Sequence, residues 1–388
     1  MKLGREARSH WTLDPAGVFL NHGSFGACPG EVLAAQSAIR AEMENHPDQF
    51  FARSIEPNED TLLRKAAAAL AAFTDAPEGQ LAFVESTTVG IQAVLQSFPL
   101  SEGDEVLITS HQYHAVKLAA QRRCRETGAT LIEADVSAPV SDDDVFECIT
   151  ARISDRTRLA IIDHITSATA LTFPVKRIAA ALRERGVKIL IDGAHAVGQL
   201  DLNIADIDAD WYVTNAHKWL FAPKGSALLH ARASEALETR PAITSHYFER
   251  GFPEAFDYVG TRDYSAWLAT PAALKFYQSL GGARVRAHAR DIIAFASEQF
   301  AQLGARGLGS LEMSAAMRVF ELPTRAPIDH VTALRWRDAL WDKHKIQTKP
   351  DGQTGKLRLR ISAAAYVDKA DITQFVDALS ADGWPART

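Results

Sequence analysis

Val187-Lys188-Ile189-Leu190-Ile191-Asp192-Gly193-Ala194-His195 is an apolar run that closes on an acid. A segment this apolar has no wet face, so it reads as a strand covered on both sides rather than as a half-exposed one. Arg158–Asp163 (RLAIID) repeats the pattern upstream, and the stretch 175–185 between the two has helical spacing of its apolar residues. Working outward, Gln80–Glu85 (QLAFVE), Glu105–Thr109 (EVLIT), Thr130–Glu133, Trp211–Thr214 and Ser226–His230 are further strands, with helices over Ser86–Phe98 and Ala115–Glu126. Strands alternating with amphipathic helices predict an α/β fold with a large, mainly parallel sheet. In such sheets ligands sit beyond the carboxyl ends of the strands. Beyond residue 265 the pattern changes. One long helical stretch near Pro271–Leu303 leads to a strand at Met317–Leu322, a helix at Ile328–Lys343, a strand at Lys356–Ser362 and a last helix at Lys369–Leu379, the look of a small α+β domain. A chain of 388 residues is suited to one large and one smaller domain. No repeat or low-complexity linker separates them, so they are expected to pack tightly.

Composition narrows the partners. With 47% hydrophobic and 23% charged residues, the chain is an ordinary globular one. Its net charge of -6 and the lack of a Lys/Arg run argue against nucleic acid and for a small-molecule partner. The three cysteines, Cys28, Cys124 and Cys148, form no CxxC pair, which suits a reducing compartment. The segment MKLGREARSHWTLDPAG has no apolar h-region, and the Ala-rich run Lys65–Phe73 is too short to span a bilayer. A cytoplasmic enzyme away from membranes is the expectation.

Four segments carry chemistry. Glu85-Ser86-Thr87-Thr88-Val89-Gly90 opens a helix straight after a strand, so free N–H groups and the positive dipole end suit a phosphate, although Ser and Thr also cap helices that bind nothing. Asp192 closes a buried strand, where a carboxylate is costly unless it meets a cation or caps the following turn. A protonated pyridine nitrogen is such a cation. In Thr214-Asn215-Ala216-His217-Lys218-Trp219, a lysine set between His and Trp after a strand is poor solvent decoration, and desolvation makes it a usable nucleophile. In Leu357-Arg358-Leu359-Arg360-Ile361-Ser362, strand alternation puts both arginines on one face, where either a carboxylate or water could be met.

Taken in this order, the segments resemble the class V aminotransferase family of pyridoxal-5′-phosphate (PLP) enzymes. The residues that carry the resemblance are Asp192 with His195, His217-Lys218, and the Pro223-Lys224-Gly225 turn. Phe19-Leu20-Asn21-His22-Gly23-Ser24-Phe25-Gly26, His217-Lys218-Trp219-Leu220 and Gly260-Thr261-Arg262-Asp263 are similar to its isopenicillin N epimerase-like branch. The resemblance runs from about residue 18 to about 380. It implies PLP-dependent transferase fold type I, with a seven-stranded-type large domain over 18–265 and a small domain made of 1–17 and 266–388. It implies that Lys218 carries the cofactor as a Schiff base and shuttles the Cα proton, that Asp192 pairs with the pyridinium, and that His195 lies near the ring hydroxyl. Thr87 and Thr88 would hold the phosphate with Asn215 and His217. Tyr113 would stack on the cofactor, Arg360 would bind the substrate carboxylate, and Asn21, His22 and Gly23 would line the substrate mouth. Thr261 would reach the phosphate of a neighbouring subunit, giving a homodimer with shared active sites.

The activity implied is epimerase-like Cα deprotonation of an amino acid or aminoacyl substrate, with C–S lyase or aminotransferase chemistry as alternatives. Tyr113 and His22 are the candidates for a second acid opposite Lys218. The chain departs from desulfurases in having no cysteine beyond Cys148, so the loop Gly304–Ser314 carries no persulfide; Cys28 reads as a small hydrophobe. His111 and His114 lack further ligands at metal spacing, and no metal is expected. Asp142-Asp143-Asp144 is expected to open a helix, and Arg284, Arg286, His288 and Arg290 to form a solvated helix face. No GxSxG, P-loop or HExxH pattern is present.

Overall fold

The computed structural model describes residues 1–57, 60–137 and 141–382. Its centre is a seven-stranded sheet in the order Leu81–Val84, Ala227–Ala231, Trp211–Thr214, Lys188–Asp192, Thr157–Asp163, Glu105–Thr109, Thr130–Ala134. Ala227–Ala231 runs antiparallel to both neighbours, and the remaining pairings are parallel. Burial explains why these strands read as unbroken apolar runs. Leu107, Ala160, Ile162, Ile189 and Ile191 face one core, whereas Val106, Ile108, Leu159, Ile161 and Leu190 face a second core on the other side. Alternate residues of one strand therefore serve two cores.

Helices Thr87–Ser97, His114–Thr127 and Val175–Glu184 occupy the expected stretches. The acidic run does open a helix, Asp142–Thr150: the Ser141 hydroxyl accepts the Asp144 N–H, and the Asp144 carboxylate accepts the Ser141 N–H. The expected long helix at 271–303 is two, Thr270–Ser279 and Gly282–Gln302. Gly281 between them has φ 81°, a left-handed residue that ends one helical ladder before the next begins. The face expected to be solvated is partly a contact surface. Arg286 pairs with Asp201 at 2.7 Å, and the His288 Nε2 lies 2.7 Å from the Val367 carbonyl. Because a helix touching the body on two sides has a narrow wet face, charge alone misjudged it.

The C-terminal part forms a four-stranded antiparallel sheet in the order Lys349–Asp351, Arg358–Ser362, Met317–Glu321, Arg306–Gly307, with helices His330–His344 and Lys369–Ala381. Val18–Phe19 pairs in parallel with Ile346–Gln347, and Gly4 N–H donates to the Ala365 carbonyl at 2.8 Å, so the N-terminal segment is held against the C-terminal part. Helices Gly30–Asn45 and Leu62–Phe73 lie between; Thr61 caps the latter by accepting the Arg64 N–H at 3.2 Å. Among the described residues no helix is long and apolar enough to cross a membrane.

Candidate active site

Parallel strands place their carboxyl ends along one edge, and here Asp163 and Asp192 are direct register partners at that edge. The segments following Val84, Thr109 and Thr214 converge on the same point. Ser86, Thr87, Thr88, Tyr113, Asp163, Asp192, His195, Asn215, His217, Lys218, Lys349 and Arg360 are among the lining of a cavity of about 360 Å³.

Each wall has a local cause. Helix Thr87–Ser97 is aimed into the cavity by Asn215, whose Oδ1 accepts the Thr87 N–H at 3.0 Å and whose Nδ2 donates to the Thr87 hydroxyl at 3.3 Å. Ser86 caps the helix by accepting the Val89 N–H at 3.3 Å. Ser86, Thr87 and Thr88 line the cavity at this helix end, where first-turn N–H groups suit an anion. Beside this helix end Arg262 is paired with Glu85, which connects the Gly260–Asp263 loop to it.

Lys218 lies deep in the cavity. Burial, with Arg360 and Lys349 nearby, pushes its amine down to about 7, against a smaller opposing pull from Asp192. Its Nζ is 3.2 Å from the His195 Nε2. The Trp219 indole N–H donates to His195 Nδ1 at 3.3 Å, and burial holds the imidazole neutral. With Nδ1 accepting, the proton of neutral His195 sits on Nε2 and faces the lysine nitrogen. Gly26 lets the N-terminal segment pass over the lysine turn: it has φ 68°, and a Cβ there would fall 2.1 Å from the His217 carbonyl oxygen.

Asp192 is 2% exposed and accepts the Ala194 N–H at 3.0 Å. Burial pushes its carboxyl up. Asp163, equally buried, is pushed well above the carboxylate range by burial and by Asp192 beside it, and its Oδ2 has no hydrogen-bond partner. Like charges in a dry site repel, so the charge on Asp192 disfavours ionisation of Asp163. Sequence reasoning singled out Asp192 and passed over Asp163. The signal was present, because RLAIID ends on an acid just as VKILID does.

Arg360 is buried, and its guanidinium donates to the Ser167 carbonyl at 2.7 Å, the Ser24 hydroxyl at 2.8 Å and the Asn21 Oδ1 at 3.2 Å. Desolvation pushes it down to about 10, so it remains charged at neutral pH. Gly23 lines the cavity, and Asn21 stands behind the lining, its Oδ1 accepting from Arg360 and, at 2.7 Å, from the Ser24 hydroxyl. His22 faces away from the cavity. Its Nε2 donates to the Lys218 carbonyl at 3.0 Å, its Nδ1 accepts from the Tyr366 hydroxyl at 2.8 Å, and burial lowers it to about 4. Both nitrogens are committed, which leaves no proton to exchange. Tyr113 is 47% exposed and stands at the cavity mouth. His217 donates from Nδ1 to the Ser226 carbonyl at 2.9 Å and also lines the cavity. Thr261, bonded to the Tyr258 hydroxyl at 3.1 Å, is not part of this chain's cavity lining. His111, weighed as half of a metal pair, is bonded to Thr169 at 2.7 Å and to the Val136 carbonyl at 2.6 Å. Cys28 is packed against the core, and burial raises its thiol to about 12, so it is no nucleophile.

The donors fit PLP: a partly neutral amine for the aldehyde, a buried carboxyl pair for the ring nitrogen, and a helix N-terminus for the phosphate. Comparison with known proteins agrees. The sequence profile of the family Aminotransferase class-V matches residues 31–375. The chain is 33% identical to the isopenicillin N epimerase of Amycolatopsis lactamdurans over 96% of its own length and 97% of that protein. It is 25% identical to the hercynylcysteine sulfoxide lyase of Schizosaccharomyces pombe, covering 95% of each chain. The solved structure of the cystine C–S lyase C-DES superposes with a TM-score of 0.79 at 22% identity, over 94% of this chain and 98% of that one. The fold, the residues of the cavity and the family profile converge: the chain belongs to the aminotransferase class-V family and is a pyridoxal-phosphate-dependent enzyme.

Proposed function

We propose that the enzyme withdraws the Cα proton of an amino acid or aminoacyl substrate and returns it, as an isopenicillin N epimerase-like isomerase. The observation that carries this reading is Lys218, an amine near neutrality, set 3.2 Å from a neutral imidazole and within the field of a buried carboxyl pair. PLP, when bound, supplies an electron sink that acidifies the Cα–H bond. Lys218 anchors the group and carries the proton. Asp192 keeps the ring nitrogen protonated, and His195 holds the ring hydroxyl side. Thr87, Thr88, Asn215 and His217 fix the phosphate, and Tyr113 covers the ring. Arg360 takes the substrate carboxylate beside Asn21 and Gly23, and His22 supports the turn at Lys218 through its carbonyl. The same reading makes the enzyme a homodimer, with Thr261 serving the neighbouring subunit. It divides the chain into a cofactor-binding unit, 18–265, and a smaller unit of 1–17 and 266–388. The free cysteines suit a cytoplasmic location.

One observation favours a second reading, β-elimination of a sulfur group. Epimerisation needs an acid on the face opposite Lys218, and of the two candidates His22 is committed, which leaves Tyr113, whereas elimination needs only Lys218. No cysteine lies on the loop Gly304–Ser314, so such a lyase would release sulfur directly. Incubating the holoenzyme in D₂O with L-amino acids and with β-thio-substituted ones separates the readings. Deuterium at an inverted Cα supports the isomerase. Pyruvate and released thiol without inversion support the lyase.

Two expectations follow from the charges. Arg360→Gln should lower kcat/KM by roughly 30- to 5,000-fold, the usual loss of about 2–5 kcal/mol when a buried charge partner is truncated. The loss should fall mainly on KM, read by steady-state kinetics. In cofactor-free protein the rate of PLP capture should rise with pH, pass half its maximum near 7 and level off about one pH unit higher, as Lys218 loses its proton. An ordinary lysine would still be gaining rate up to about 10. Stopped-flow absorbance between pH 6 and 9 measures this.

A further inference from the structure

The cavity shares Tyr113, Ser167 and Lys349 with an adjoining outer cavity of about 830 Å³, lined also by His111, Gln353 and Arg358. An amino acid filling the inner cavity leaves this larger space for whatever its side chain carries. Lys349 stands at the junction and lines both cavities.

Lys349 is the direct cross-strand partner of Arg360. Like charges directly opposite on a sheet destabilise it, and they persist where an anion is to be received. The three acceptors of Arg360 are all uncharged. Lys349 has no carboxylate within 4.0 Å among the described residues. Burial and Arg360 lower it to about 8, with a smaller opposing pull from Asp351, so it is still mostly charged at neutral pH. Of the other cations of the outer cavity, Lys117 is paired with Glu133, Lys356 and Arg358 are paired with Glu321, and Arg306 is exposed to solvent. Two uncompensated cations, the buried Arg360 and the half-buried Lys349, therefore stand side by side, and one α-carboxylate satisfies only one of them.

We propose that Lys349 is a specificity-determining residue that binds a second carboxylate of the substrate, borne on a side-chain arm reaching from the inner cavity into the outer one. The inference rests on the amino-acid reading of the site. It names the substrate class as amino acids or aminoacyl compounds with an anionic, extended side chain.

The test is a binding titration on holoenzyme, following the perturbation of the cofactor absorption band by L-glutamate, L-2-aminoadipate and their uncharged counterparts L-norvaline and L-norleucine. Wild type should bind at least one anionic probe about 10-fold more tightly than its neutral counterpart. Lys349→Gln should abolish that preference by weakening the anionic probe about 10-fold more than its neutral counterpart, and Lys349→Arg should restore it. Equal weakening of both classes, a loss of cofactor affinity in the Gln variant, or no anionic preference in wild type would each overturn the assignment. If no amino acid perturbs the band in wild type, the amino-acid reading itself fails, and this inference fails with it.

Discussion

Lys218→Ala should lower turnover by roughly 10⁴-fold or more, because one change removes both the covalent anchor and the proton carrier. The wild-type protein mixed with PLP should show a Schiff-base absorption band that borohydride bleaches and fixes to a single lysine. The Ala variant should retain the fold, by circular dichroism, and show neither. The expectation comes from the surroundings of the amine. A solvated lysine is almost wholly protonated at pH 7, whereas this one, desolvated and facing Arg360 and Lys349, is about half neutral. His195 Nε2–H lies opposite its nitrogen and keeps the amine aimed into the cavity. A wild-type band that survives the Ala substitution would mean that a different lysine holds the cofactor, and the assignment of the site would fail.

Asp192→Asn should be the second largest loss, roughly 10²- to 10⁴-fold in kcat, with a blue-shifted or weakened cofactor band. An amide cannot hold a proton on a ring nitrogen by charge, and each unit by which that nitrogen's pKa falls costs about 1.4 kcal/mol of the electron demand that acidifies the substrate. The structure adds a second consequence. Asp192 is one reason the Asp163 carboxyl is pushed up. Removing that charge lets Asp163 ionise at lower pH, so the spectral pH titration of the variant should move as well as its rate. Asparagine preserves the volume of this fully packed strand end, so kinetics rather than loss of fold is the readout. Turnover within about 3-fold of wild type would rule out the ring-nitrogen role.

Much of the site is legible in the chain because its parts are local. A strand end, the turn after it and the first turn of the following helix are contiguous, so Thr87-Thr88, Asp192 to His195, and His217-Lys218 each declared their chemistry within about six residues. The unbroken hydrophobicity of RLAIID and VKILID foretold a sheet buried on both faces, and the two cores show it. Residues whose meaning depends on distant neighbours were not legible. His22 stands next to the substrate-mouth residues in sequence, yet Tyr366 and the Lys218 carbonyl, both far along the chain, commit its nitrogens. Lys349 lies in the three-residue strand KPD, which carries no sequence signal of its own; its pairing opposite Arg360 places it at the cavity junction. The break at Gly281 and the contacts of Arg286 with Asp201 were likewise set by how helices meet the body of the protein.

The sequence by itself determined the layered sheet, the lysine, the acid at the strand end and the family to which they belong, because hydrophobic period and strand-end chemistry are written in consecutive residues. Only the tertiary structure decided the charge states. Whether a lysine is neutral, an aspartate protonated or an arginine uncompensated depends on which groups are desolvated together, and that is fixed by packing between segments far apart in the chain.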